Sequence, residues 1–114
     1  MRRGDIVRVD LEPVRGSEAS KLRPAVIVSN DAANLTATRL GRGVVTVVPL
    51  TWNVARAYPF QVLLPAGSGL DRDSKAQAEQ VRSIAVDRVV AKLGAAPGGL
   101  MLEIDEALRL HLGL

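Results

Sequence analysis

Arg23 is the residue of this 114-residue chain whose setting is most suited to holding a phosphate. The polar stretch Gly16-Ser17-Glu18-Ala19-Ser20-Lys21-Leu22 runs into Arg23-Pro24, and proline restricts the residue before it to extended backbone. Arg23 is therefore held at a defined angle, at the mouth of the apolar run Pro24-Ala25-Val26-Ile27-Val28. A guanidinium fixed in this way presents a rigid fork of donors, well matched to a phosphate and above all to one gaining charge. An ion pair with Asp10, Glu12 or Glu18 explains the same residue about as well, so chemistry alone leaves both readings open.

Other routes to catalysis are closed or thin. There is no cysteine, which removes a disulfide framework, a thiolate metal site and a cysteine nucleophile. The one histidine, His111, falls at helical spacing from Ile104, Ala107 and Leu108, so a structural or interface role is expected and a histidine-pair nuclease is not. No Ser-His-Asp arrangement can be built, and no phosphate-binding glycine motif occurs. Asp71-Arg72-Asp73 reads as a solvated turn, so neither a metal nor another cofactor is expected.

The elements that must position Arg23 are short strands. Asp5 to Leu11 alternates, with Val7, Val9 and Leu11 on one face, and residues 12–22 read as a polar loop. Pro24–Val28 has the composition of a strand buried on both faces. Residues 31–42 lack periodicity and read as a loop with a helical turn. Val44–Val48 is the next strand, and Pro49 predicts a bulge or a sheet edge just there, because proline cannot donate to a ladder. Tyr58–Leu64 follows as a strand closed by Pro65 and Gly67. Residues 74–85 are ambiguous: Lys, Ala, Gln and Glu favour helix, whereas Lys75, Gln77 and Glu79 alternate with alanines as in a strand. After Pro97-Gly98-Gly99, residues 100–112 form an amphipathic helix that packs on the sheet or on a partner. Short strands between Gly/Pro turns predict a small barrel or compact sheet.

Length allows one domain spanning 1–114, and 47% apolar content is enough for a folded core. Trp52, Tyr58 and Phe60 are the whole aromatic complement, too few for a surface built mainly from stacked rings. Net charge is +3 but uneven: residues 1–57 hold nine Lys/Arg against five Asp/Glu, and the remainder six against seven. A basic half suits a polyanion, although a solvated basic surface explains it equally. Neither a signal-peptide core nor a run of about 18 apolar residues is present, so a soluble cytoplasmic protein without membrane contact is expected.

A resemblance joins these pieces. Gly4-Asp5-Ile6-Val7, Val9-Asp10-Leu11-Glu12-Pro13, Gly16-Ser17-Glu18 and Arg23-Pro24-Ala25-Val26 resemble the successive N-terminal signatures of the MazF/PemK family of toxin endoribonucleases. Val48-Pro49-Leu50-Thr51 with Tyr58-Pro59-Phe60-Gln61-Val62 resembles its central strand pair, and Glu79-Gln80-Val81-Arg82-Ser83-Ile84 its late strand motif. The ordered set runs from about residue 4 to 86, and it assigns residues 74–85 to a strand against their composition.

The resemblance implies a mainly β fold with helices: a small SH3-like barrel of the CcdB/MazF type with a C-terminal amphipathic helix. It implies a homodimer of the mRNA-interferase kind, cutting single-stranded RNA at short motifs and neutralised by a cognate, MazE-like antitoxin. The 2′-hydroxyl attacks the adjacent phosphate and leaves a cyclic phosphate and a free 5′-hydroxyl. The family's catalytic arginine and threonine match Arg23 and Thr51. RNA contacts would fall to Ser17, Glu18, Lys21, Gln80 and Arg82. Trp52, where many relatives carry a small polar residue, either stacks on a base or covers the barrel. Such chemistry needs neither metal nor activated water, only alignment and stabilisation of a dianionic phosphorane. Because a guanidinium loses its proton only above about pH 12, Arg23 is cast as stabiliser and acid, and no base is assigned. The alternatives are a gyrase-poisoning toxin of the CcdB type, or a non-catalytic RNA- or protein-binding barrel.

Overall fold

The computed structural model describes residues 1–11 and 22–114. Seven strands and two helices follow one another as β1 (Asp5–Asp10), β2 (Leu22–Ile27), α1 (Asp31–Leu40), β3 (Val44–Thr51), β4 (Gln61–Leu64), β5 (Ser74–Gln77), β6 (Arg82–Ala85), β7 (Val89–Ala95) and α2 (Gly98–Leu112). All described strand pairs are antiparallel, in the order β4-β5-β3-β2-β1-β7, with β6 also on β3.

Strand alternation sends apolar side chains to both faces. Ile6, Val26, Val48 and Leu50 join Val62, Leu64 and Ala76 on one face, covered by Ile104 and Ala107 of α2. Val7, Val9, Ala25, Ile27, Val45 and Val47 join Ile84 and Val86 on the other, where α1 adds Ala37. Being covered on both sides is why β2 and β3 read as nearly unbroken apolar runs. The N-terminus is tied across these layers by Arg3, whose backbone N–H donates to Asp31 and whose side chain donates to the Val28 carbonyl and pairs with Asp105 of α2.

The expected mainly β fold with a C-terminal helix is present, its barrel realised as a seven-stranded sheet that does not close. β4 and β7 are its ends, and among the described residues they do not pair with each other. One edge of β3 is divided between two partners: it pairs with β6 through Val44–Val47 and with β5 through Leu50–Thr51, a 3₁₀ turn at Ala78–Gln80 joining the two. Closure is approached by packing instead of pairing. A Cβ built on Gly69, in the β4–β5 connection, would lie 2.2 Å from the Leu93 carbonyl oxygen, and one on Gly94 of β7 would lie 1.9 Å from that of Ser68. Only glycine at both positions lets the two backbones come so near.

Several expectations are corrected. Residues 31–42 contain a ten-residue helix: the Asn30 side chain accepts from the Ala33 N–H at 2.8 Å, and Gly41 ends it in the left-handed conformation. Its periodicity is hidden because one of its two buried residues is polar, Asn34, which bonds Ser29. The strand expected from Tyr58 starts only at Gln61, because Tyr58–Phe60 is a turn in which the Gln61 N–H bonds the Tyr58 carbonyl at 2.8 Å. Residues 74–85 are extended, as the resemblance implies, but divided into β5 and β6 by the 3₁₀ turn. β7 goes unrecognised in the sequence, its burial being too mixed to alternate. Pro49 neither bulges β3 nor ends it. The Thr46 carbonyl faces β2, where it accepts from Val28 at 2.9 Å, so by alternation the nitrogen of Pro49 faces the gap between β6 and β5, where no ladder bond is needed.

Candidate functional site

A second proline makes the cleft. The β2–β3 ladder runs Ile27↔Val47, Val26↔Val48, Ala25↔Pro49 and stops. Because Val28 donates towards β3, residues 26 and 24 face β3 as well, and Pro24 has no N–H to give. Beyond it the strands part around a cavity of about 490 Å³, lined by Leu22, Arg23, Pro24, Leu50, Thr51, Trp52 and Asn53. Continuing the register by two residues sets Arg23 opposite Thr51. Both lie on the same face, since 23, 25 and 27 alternate together on β2 as 47, 49 and 51 do on β3.

The two side chains are available for work in the cleft. Arg23 is exposed and makes no hydrogen bond or ion pair with another described residue. The Asp10 pairing weighed from sequence is therefore not made: its Oδ1 is buried without a partner among the described residues, and its carbonyl accepts from Arg88 at 3.1 Å. Thr51 is half-buried, and its Oγ1 accepts from the Asn53 N–H at 3.3 Å. That bond uses a lone pair and leaves the hydroxyl proton to be donated. Asn53 accepts from the Ala55 N–H through Oδ1 at 3.4 Å, which keeps its Nδ2 hydrogens for a ligand. Trp52 is 57% exposed, with the Arg72 guanidinium 4.6 Å from its ring centroid.

Trp52, where the chain departs from the family pattern, lines the cleft, whereas Gln80 and Arg82, the described RNA contacts implied by the resemblance, do not. Gln80 is exposed in the 3₁₀ turn and Arg82 is exposed on β6 opposite Val47. Ser17, Glu18 and Lys21 lie outside the described residues, as do Glu12 and nearly all of the 12–22 loop. His111 is exposed near the end of α2 and does not share the burial of Ile104 and Ala107. In the Asp71-Arg72-Asp73 turn, Asp73 accepts from the Ala66 N–H at 2.8 Å while Arg72 covers Trp52. Among the described residues, no three His, Asp or Glu side chains converge as a metal site. Sequence reasoning missed Leu22 and Asn53 on the cleft wall, and Lys75, the cross-strand neighbour of Thr51. Only the alternation of residues 75–79 hinted at the last.

Comparison with known proteins converges on one group. The family described as PemK-like, MazF-like toxin of type II toxin-antitoxin system matches residues 2–112. The chain is 62% identical over 115 residues to Endoribonuclease MazF9 of Mycobacterium tuberculosis, covering 100% of this chain and 98% of that protein. Among solved structures, it is similar to a mycobacterial endoribonuclease in complex with its cognate antitoxin, with TM-score 0.77 and 28% identity over 100% of this chain and 96% of the other. MazE-MazF of Deinococcus radiodurans is similar as well, with TM-score 0.80 and 28% identity, covering 100% and 96%.

Proposed function

This chain belongs to the PemK-like, MazF-like toxins of type II toxin–antitoxin systems, and from that premise we propose that the cleft between β2 and β3 is where it cuts single-stranded RNA. It is an endoribonuclease toxin whose partners are RNA and a cognate antitoxin. The observation that carries the site is that Pro24 ends the ladder so that Arg23 and Thr51 face one another across an open cleft.

The chemistry that fits these two groups is internal transesterification. A 2′-hydroxyl loses its proton to water as its oxygen bonds to the adjacent phosphorus, the bond from phosphorus to the 5′-oxygen breaks, and the products are a 2′,3′-cyclic phosphate and a 5′-hydroxyl. The nucleophile is already part of the substrate, so the protein supplies alignment and charge stabilisation. Arg23 neutralises the dianionic phosphorane and delivers a proton to the departing 5′-oxygen, regaining one at once from water. Thr51 donates its hydroxyl proton to a phosphoryl oxygen, and Trp52 and Asn53 form the wall against which the flanking nucleotides lie. Ser17, Glu18, Lys21, Gln80 and Arg82 extend the RNA contact beyond the cleft, and neither metal nor cofactor is required.

The toxin acts in the cytoplasm as a homodimer, with the exposed Leu102, Leu110 and Leu112 of α2 as its contact. No helix among the described residues is long and apolar enough to cross a membrane. The deciding experiment is incubation with an unstructured RNA in EDTA, followed by end analysis. Cleavage with cyclic-phosphate and 5′-hydroxyl ends, lost in Arg23→Ala, is expected; intact RNA, or an Arg23→Ala variant as active as the parent, refutes the site.

A further inference from the structure

Lys75 is one of the few buried charged residues among those described, with 7% of its surface exposed, and the reaction above gives it no task. Register places it, on β5, directly opposite Thr51 of β3, so that Arg23, Thr51 and Lys75 occupy consecutive strands on one face of the sheet. Among the described residues no carboxylate pairs with it. Its ammonium instead donates to the backbone carbonyl of Arg56, in the connection between β3 and β4. A buried cation without a counter-charge is unfavourable for folding, and an apolar side chain would fill the same place without that cost.

Besides the Asn53 N–H on Thr51 Oγ1, the 52–60 connection is held at three further points among the described residues, and the Arg56 carbonyl is one of them. At its start, Arg72 lies over Trp52. At its end, the Tyr58 N–H donates to Gln61 Oε1 at 3.2 Å, and Gln61 in turn donates to Glu79 Oε2 at 2.7 Å. Residues 53–57 between these points form neither helix nor strand and are exposed, so besides short local bonds such as Ala55 N–H to Asn53 Oδ1 their shape is fixed by tethering. Apart from the bond to Thr51 at its start, the tethers among the described residues come from β4, β5 or the segments flanking them, and the middle one is Lys75. The connection carries Trp52 and Asn53, two of the seven described residues lining the cleft.

We propose that Lys75 is a positioning residue that clamps the 52–60 connection in its RNA-receiving shape, and that the clamp sets affinity and cleavage-site preference. The inference rests on the cleft being the RNA site. Holding the wall beforehand removes an ordering cost that each RNA would otherwise meet on binding. The clamp therefore acts on KM more than on kcat, since a change of the residue 75 side chain leaves the backbone pairing of the strands that carry Arg23 and Thr51 in place.

The test compares Lys75→Met, which keeps the volume and loses the donor, with Lys75→Arg, which keeps the charge and donor. For Lys75→Met, KM for a short single-stranded RNA should rise about tenfold with kcat within about threefold, and the mapped 5′ ends should show relaxed site preference. Lys75→Arg should recover most of both. Trp52 is the single tryptophan, so acrylamide quenching of its fluorescence reports the connection without any RNA, and it should increase in Lys75→Met. If Lys75→Met does not fold, Lys75→Gln, neutral and still polar, carries the same comparison. Unchanged KM, site preference and quenching in a folded Lys75→Met or Lys75→Gln variant, with only a lowered Tm, would overturn the clamp. Loss of the nuclease reading itself would appear separately, as a parent protein that leaves RNA intact while the quenching difference persists.

Discussion

Replacing Thr51 by valine separates catalysis from folding at the candidate site. The substitution exchanges a hydroxyl for a methyl of nearly the same volume, at a half-buried strand end. In the folded protein the hydroxyl accepts one long hydrogen bond, 3.3 Å from the Asn53 N–H, and that N–H sits in an exposed residue where water can replace it. The stability lost is therefore small, about 0.5 kcal/mol, at the low end for a hydrogen bond. For 114 residues an unfolding entropy of roughly 0.24 kcal/mol per degree turns this into a Tm decrease of about 2 °C. If Thr51 donates to the charged phosphoryl oxygen of the transition state, removing it should lower kcat by about 100- to 1000-fold, as for one donor of an oxyanion hole. Single-turnover cleavage of an end-labelled RNA, with thermal melting on the same samples, measures both quantities. A cleavage rate within about threefold of the parent would refute the role of Thr51. A Tm lowered by some 10 °C would instead mean that the hydroxyl supports the fold, contrary to its exposed partner.

Three further outcomes follow from the geometry. Arg23→Lys keeps the charge but loses the planar fork, so cleavage in single-turnover assays should fall at least about tenfold while binding of a 2′-deoxy RNA analogue remains measurable. Ile104→Ala opens a cavity where α2 meets the sheet, at a side chain with no exposed surface; a loss of about 3 kcal/mol, or roughly 12 °C in Tm, is expected by calorimetry. Gly94→Ala places a methyl group against the Ser68 carbonyl, so a melting curve should show a larger loss than the small one usual for Gly→Ala in an exposed strand.

How much of this was legible in the sequence depended on where the signal resided. The strands around Val7, Val26 and Val47 were plain because their apolar runs follow from burial on both faces. Helix α1 was hidden because Asn34 occupies a core position through hydrogen bonds to Ser29, a pattern that hydropathy scores as polar. Lys75 was hidden for a related reason: a charged residue inside an alternating segment is read as facing solvent, and only the Arg56 carbonyl explains its burial. Arg23 could be singled out because X-Pro geometry is local. Thr51 could not, because its significance arises from register with β2, and register is a property of two strands. The resemblance supplied what local chemistry lacked, while Gln80 and Arg82, taken from it, lie away from the cleft.

The proline that ends the β2–β3 ladder has a consequence for how such an enzyme can diversify. Because the opening follows from a backbone nitrogen that bears no hydrogen, its existence does not depend on the side chains around the rim. Leu22, Trp52 and Asn53 are exposed there and can be exchanged without refilling the gap or disturbing the core beneath. On the proposal that this cleft receives RNA, a lineage carrying this chain can change which transcripts it attacks through drift at a few rim positions, while Pro24 keeps the opening in the sheet.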